Sequence, residues 1–425
     1  MSGLVITAWL FGMMVLALYQ PVVGPILYYL VTWLHPEQQM YGGLSLRWTM
    51  LIALTALIGY LFIGKQRQFP KNALAPFLIF FTVWYFASAL VNGVNASEFS
   101  LATDFAKVIL MCLVTASIIN TRLRIHLLLW IVVIAIGSVS LRTGAFIMLG
   151  AGGNAVIGPA FLGQTNEYAR VVLFTWPLML FLARHSAHKY VRIGFAALAT
   201  ISVFALIGTN SRGAFVAFAA ICGVFWLYSS RKAVSVVIVG VIISGAYLIV
   251  PQARQDSFLN RASTIDNAET DDSFVERTVA WEIGWNYTLR NPVFGGGPGV
   301  YERIHTHASH NSYFEVLGET GFPGLAIYGT IAALAFLTIY RLRRLTRGIP
   351  ELAWAHDLAF FIMISFVGYF AGGITKNHGF YEYYYMLLGL LMGLEIAVLR
   401  YLTTQDVEET GKDHPSVMKT IQQTP

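Results

Sequence analysis

Apolar stretches long enough to cross a bilayer recur along almost the whole of this 425-residue chain, and nothing else in the sequence constrains its fold so tightly. A hydrocarbon core roughly 30 Å thick takes about 20 apolar residues per helix, and a backbone crossing it must satisfy its own hydrogen bonds. Charged residues make up 12% of the chain and apolar residues 56%, whereas a soluble domain carries roughly a quarter charged residues. The sequence therefore specifies an all-α integral membrane protein. Disordered, collagen-like and coiled-coil classes are excluded.

Spans are expected near 46–64, 73–92, 103–119, 126–149, 168–183, 192–208, 213–229 and 233–250, and again near 322–341, 357–374 and 383–402. The first apolar stretch, 4–34, contains Pro21 and Pro25, which either break one tilted helix or separate two short ones. Counted as one irregular span it gives about twelve transmembrane helices, with thirteen as the alternative. No repeat of fixed period is present. Cys112 and Cys222 both fall in apolar segments, so no disulfide framework is implied. The N-terminus lacks the basic region and small-residue cleavage site expected of a cleavable signal peptide.

Basic residues give the sidedness. Seventeen of the 28 Lys and Arg fall on one side, in clusters such as Arg341, Arg343, Arg344 and Arg347, and this side is expected to be cytoplasmic. The short connections opposite hold only Arg47, Arg142, Arg170, Arg212 and Lys376. The net charge of +6 is thus a topology signal, and no nucleic-acid partner is expected. The chain divides into an N-terminal bundle (1–250), a large loop domain on the far side (251–321), C-terminal spans (322–402) and a polar tail (403–425) expected to be disordered and cytoplasmic. Within the loop a helix is expected from Ser273, with a Ser273/Glu276 capping box, to Asn291-Pro292, and a second from about Ser309 to Gly321.

Few residues here carry chemistry. Arg212, in Gly208-Thr209-Asn210-Ser211-Arg212-Gly213, sits at a short non-cytoplasmic turn, where an arginine either snorkels to lipid phosphate or meets an anionic ligand. Arg277 shares a helix face with Trp281 and Trp285, which reads either as a ligand-binding face or as a helix lying on the membrane with an aromatic belt. His310 opens a helix, whose positive end favours a nearby anion and a neutral imidazole able to act as a general base. Gln164 and Asn166 either hydrogen-bond a sugar or cap the following helix. Arg142 ends a span on the far side and adds charge there, while Asp104 and Lys107 fit a simple ion pair. His305, His307 and His310 lack the pattern of a metal site, and Gly295–Gly299 reads as a turn without the ending of a P-loop.

Three segments together resemble the lipopolysaccharide O-antigen ligase and polymerase superfamily. They are Ser211-Arg212-Gly213; the stretch from Glu276-Arg277 through Trp281 to Gly295–Gly299; and His310-Asn311-Ser312-Tyr313 through Gly321. The resemblance implies a helical membrane fold related to the polyprenyl-dependent, GT-C-like glycosyltransferases, without metal or other cofactor. It implies transfer of a glycan from undecaprenyl diphosphate to lipid A-core oligosaccharide on the periplasmic face of the bacterial inner membrane. Carried across, Arg212, Arg277 and His310 are the catalytic residues, with Asn311 and Tyr313 joining Gln164, Asn166 and Arg142 around the substrates. The expected partners are the lipid-linked donor, the lipid A-core acceptor and membrane lipids, with the chain acting as a monomer.

The chemistry agrees with that expectation. A departing lipid diphosphate gains negative charge that fixed guanidinium groups stabilise bidentately, and direct attack opposite it inverts the anomeric centre. An O-antigen polymerase or protein O-oligosaccharyltransferase on the same scaffold is the alternative. A polyprenyl-glycan transporter is disfavoured, because the charges cluster at the outward edge instead of deep within spans.

Overall fold

The computed structural model describes residues 3–36, 46–63, 68–148, 165–209, 211–229, 232–233, 240, 272–304 and 308–410. Among these every regular element is helical and none is a strand. We number the helices α1 (Gly3–Tyr19), α2 (Val23–Leu34), α3 (Trp48–Ile58), α4 (Leu74–Val91), α5 (Ala96–Ile118), α6 (Arg122–Met148), α7 (Thr165–His185), α8 (Lys189–Ile207) and α9 (Arg212–Tyr228). They continue with α10 (Asp272–Arg290), α11 (Val300–Ile304), α12 (Ser312–Leu345), α13 (Ala353–Gly372) and α14 (Glu382–Thr410).

Seven of the described helical segments are long and apolar enough to cross a membrane, and four shorter apolar helices accompany them. The protein is a multi-pass membrane protein. Large apolar side chains such as Phe62, Leu90 and Leu337 lie exposed on the outside of the bundle, where lipid tails, not water, are their solvent. The helix α7 falls short of that apolarity and is instead the centre of the bundle, packed on α6, α8 and α13 and buried almost throughout from Tyr168 to Leu182. Protein on all sides lets it carry Arg170, which would be costly against lipid. Elsewhere backbones approach closely at small residues: a Cβ on Gly389 of α14 would press on the Cys112 backbone of α5, the close packing that membrane helices favour.

Four features differ from the expectations. The segment 4–34 forms two helices, broken at Gln20–Val22 where Pro21 cannot continue the ladder. The second loop helix begins at Ser312, not Ser309, because the Asn311 side chain accepts the free N–H groups of Tyr313 (2.9 Å) and Phe314 (3.2 Å) and fixes the N-cap. It does not end in a loop at Gly321 but passes through a break there into the next span. The polar tail stays helical to Thr410, helped by Thr403 and Thr404 hydroxyls bonded back to the preceding turn. The helix α10 starts at Asp272 and stops at Arg290, just before Asn291-Pro292. The expected span at 233–250 lies outside the described residues, two positions aside.

At one end of the bundle the glycine run is a turn, with positive φ at Gly295 (62°), Gly297 (80°) and Gly299 (69°). It lies backbone to backbone on the first turns of α12, where Gly296 N–H donates to Gly318 O at 2.8 Å and Gly297 N–H to Glu319 O at 3.1 Å. The buried Glu319 carboxylate fastens the layer, accepting the Gly299 N–H at 3.0 Å and the Tyr85 hydroxyl of α4 at 2.6 Å. Gly321 itself has φ 71° and ψ −174°, a region open essentially to glycine alone, and a Cβ there would run into the Pro292 and Val293 carbonyls. Gly321→Ala should therefore lower the unfolding midpoint of the detergent-solubilised protein, by roughly 1–3 kcal/mol of backbone strain alone. Gly329→Ala, on the same helix with open space around it, should leave the midpoint unchanged or raise it.

Candidate functional site

The connection between α13 and α14, Gly373 to Tyr381, gathers the chemistry at this end of the bundle. Ser312 N–H donates to Gly373 O at 2.7 Å, and Asn311 Nδ2 donates to Ile374 O at 3.1 Å. The Asn377 Oδ1 accepts both the Asn311 N–H and the Ser309 hydroxyl, each at 2.8 Å. Ser312 Oγ donates to Lys376 O at 2.7 Å and accepts the His378 N–H at 2.9 Å, and the buried Glu315 carboxylate accepts the Gly379 N–H at 2.8 Å. Asn311 thus caps α12 and clasps the connection. Tyr313 points away, its hydroxyl donated to Phe370 O at 2.8 Å. Both residues, expected around the substrate, spend their polar atoms on hydrogen bonds inside the protein.

His310 lies between the two clasped residues Ser309 and Asn311, with φ 48°. A histidine in the left-handed region costs about 1–2 kcal/mol, and such strain persists where neighbours fix the backbone on both sides. One neighbour is Trp281 of α10, whose indole N–H donates to Ser309 O at 2.7 Å while its ring stacks on Phe314 at 5.5 Å. Trp285 meets Phe322 edge-on at 5.8 Å. The aromatic stripe of α10 therefore docks on α12, with Trp285 still partly exposed.

The cations converge on Lys376. Its ammonium, half-buried in the connection, is pushed down to about 8 by burial and then by the positive charges of Arg170 and Arg277. Arg170 donates to Asn377 O at 2.8 Å, pairs with Glu167 and faces the Tyr381 ring at 5.5 Å. His378 is buried beside it, with Nε2 2.8 Å from Tyr369 O. Burial and the Arg170 charge hold its imidazole down to about 3, so it is neutral at physiological pH and its Nδ1, 3.4 Å from Arg170, is the accepting nitrogen. The fourth segment to arrive is the start of α9. A Cβ on Gly213 would collide with the Thr375 hydroxyl, so only glycine lets the helix that opens at Arg212 sit against the connection.

Arg142 takes another direction, its guanidinium hydrogen-bonded to Ser138 one turn back on its own helix. Asn166 lies in the first turn of α7, and Gln164, His305 and His307 lie outside the described residues. Asp104 and Lys107 form the expected ion pair at 3.0 Å. The residues that sequence reading missed are Arg170, Lys376, Asn377 and His378. A signal existed for two of them: Arg170 and Lys376 were among the few basic residues on the side where such residues are disfavoured.

Beside the cations an apolar groove of about 600 Å³ runs between α12 and α13. Tyr313 and Ile374 border it at the end nearest Lys376, and Gly329, Ala332, Ala333 and Ala371 keep it open. A cationic head with an apolar groove leading from it suits an amphiphile with an anionic head.

Residues 196–329 match the family model described as O-antigen ligase. Residues 1–187 match a second model, a family of unknown function (DUF5935). No curated protein matches the chain. This multi-pass membrane protein thus carries, over residues 196–329, a segment that matches the O-antigen ligase family. The site draws on both matched segments, with Arg170 in one and Arg212, Arg277 and His310 in the other, while Lys376 lies beyond both.

Lys376 sets the pH response. Burial first, and then the two guanidinium charges, lower its pKa to about 8, and a bound anion raises that value again. Binding of inorganic diphosphate to the full-length protein should therefore weaken as pH rises through about 8, followed by calorimetry. Lys376→Arg should flatten that dependence, since a guanidinium keeps its charge.

Proposed function

We propose that this protein is an O-antigen ligase that moves a glycan from undecaprenyl diphosphate to lipid A-core oligosaccharide on the periplasmic face of the inner membrane. The observation that carries the reading is the convergence of Arg277, Arg170 and Lys376 on one half-buried connection, against which the helix opening at Arg212 is packed. Repelling cations held together by a fold are relieved by an anion, and a diphosphate leaving group supplies one. The groove between α12 and α13 supports the same donor by offering its polyprenyl tail an apolar bed ending beside the cations.

In this mechanism Arg212, Arg277 and Lys376 hold the diphosphate, and their fixed charges take the role that a divalent cation plays elsewhere. The carbon–oxygen bond between the anomeric carbon and the diphosphate breaks as an acceptor hydroxyl attacks from the opposite face, inverting the centre. The hydroxyl proton passes to the His310 imidazole, and the electron pair of the broken bond leaves on the diphosphate. Arg170 acts one step back. Paired with Glu167 and bonded to Asn377, it positions the connection and adds to its positive field.

Removing a general base removes roughly 10²–10⁴-fold in rate. His310→Ala should abolish visible transfer of lipid-linked glycan to purified lipid A-core in vitro, with wild-type membrane insertion and donor binding. Transfer at the wild-type rate would overturn its role. Arg277→Ala should instead weaken donor binding as well as slow transfer, read as a rise in KM together with a fall in kcat. The same assay without core acceptor separates the ligase from a polymerase, which lengthens the lipid-linked chain unaided.

A further inference from the structure

On the other side of the connection lies a second pocket that the transfer mechanism does not use. It is a cavity of about 350 Å³ enclosed by the end of α2, the start of α3, the outer turns of α5 and the residues where the connection meets α14, which is within the usual range for ligand sites of about 300–1,000 Å³. Thr32 and Trp33 come from α2, Asp104 and Lys107 from α5, and Tyr381 and Glu382 from the connection and the start of α14. Trp33 and Tyr381 stand edge-on at 6.2 Å. Three polar atoms in this lining, Tyr28 Oη, Thr32 Oγ1 and Glu382 Oε1, are buried with no hydrogen-bond partner among the described residues, and the Thr32 side chain is only 7% exposed. Buried polar atoms are nearly always satisfied, by protein, water or ligand.

The chemistry of the lining selects the ligand. Two carboxylates against one ammonium, itself paired with Asp104 at 3.0 Å, disfavour a phosphate. The polar atoms disfavour a lipid tail. What remains is a molecule with several hydroxyl donors around its edge and an apolar face to lie against rings, and a pyranose has both. We infer that this pocket is a saccharide subsite, in which Glu382 and Thr32 take hydroxyl hydrogen bonds and the partly buried Tyr381 ring walls the sugar, backed by the core indole of Trp33. Tyr381 is shared. Its ring also faces the Arg170 guanidinium at 5.5 Å, so a sugar here lies one aromatic side chain away from the cation cluster. What that sugar is for rests on the proposed transfer; that a sugar binds does not.

The experiment uses the full-length protein in lipid nanodiscs, with the methyl glycosides of glucose, galactose and N-acetylglucosamine as probes and saturation-transfer NMR as the readout. Wild type should give contact signals from ring C–H protons of at least one probe. The near-isosteric Thr32→Val and Glu382→Gln should weaken that binding by about ten- to a hundredfold, the loss expected for a hydrogen bond to a buried or charged partner. Inorganic diphosphate binding, measured on the same samples, should be unchanged, which also shows that the variants are folded. No signal from any probe, or equal signals in wild type and variants, would overturn the inference, as would equal loss of diphosphate binding. In the transfer assay the same variants should raise KM for one glycan substrate. A rise for the acceptor assigns the pocket to lipid A-core and a rise for the donor assigns it to the lipid-linked glycan; no rise for either counts against it. Should wild type transfer nothing, the proposed function falls while the NMR still decides the pocket.

Discussion

Asn377 holds the functional end of this molecule together. Its one side-chain oxygen accepts the Asn311 N–H and the Ser309 hydroxyl, while its backbone carbonyl accepts the Arg170 guanidinium. Three segments far apart in sequence are thereby fixed to one residue: the centre of the bundle at α7, the start of α12, and the connection that carries Lys376. Hydrogen bonds to a charged donor are worth roughly 1.5–3 kcal/mol each and neutral ones about 1, so their sum suffices to order a short connection but not to offset unlimited repulsion. The cations therefore stay part-solvated or paired. Arg170 is buried with Glu167 as partner, whereas Lys376 remains half-exposed and yields part of its proton affinity.

Two strained positions, His310 and Gly321, border that clasp. His310 is one of only two non-glycine residues with positive φ among those described, and it lies between two residues whose backbones are held by hydrogen bonds. Gly321 breaks α12 between the segment that packs on the glycine turn and the segment that crosses the membrane. Without that break the helix would run straight, and the first three turns could not lie across Tyr85 and Ser88 of α4 while the rest descends beside α13. The glycine turn is the counterpart of the break. Its backbone reaches Gly318 and Glu319 because Gly295 carries no side chain at the contact, while Gly318 leaves room for the Tyr301 ring.

Much of the fold was legible because hydrophobic length is a local property. The apolar runs found helices near their true bounds, and the Asn291-Pro292 stop was right because proline acts on its immediate neighbour. The start of α12 was misplaced by three residues, since Ser309 and Asn311 are both good caps and only the tertiary partner Asn377 decides between them. The arginine and histidine motifs all lead to the end of the bundle where the connection between α13 and α14 lies. Their company was not legible: Arg170 and Lys376 are separated by some two hundred residues, and no local pattern announces that a lysine in a short connection will share its field with two arginines. Tyr313 and Asn311 show what the motif could not: Asn311 caps α12 and clasps the connection, while Tyr313 donates its hydroxyl to Phe370 O and lends its side chain to the apolar groove.

The connection between α13 and α14 separates two environments of opposite character within a few ångströms. On one side are Arg277, Arg170 and Lys376 above an apolar groove; on the other is a pocket with an excess of carboxylate and an aromatic wall. On the proposed reading, electrostatics then favours one placement of an amphiphilic sugar diphosphate: its phosphates are drawn to the cations, and the neutral sugar has no such constraint. Asn377, His378 and Tyr381 belong to one short segment, and the Asn377 hydrogen bonds that hold it also fix Ser309 and Asn311 on either side of His310, so on the proposed reading the anion site, the base and the saccharide pocket share one support. A shared support is, on that reading, what a metal-free transfer requires. Fixed side-chain charges stabilise a leaving group only to the extent that they are already in place when its charge develops.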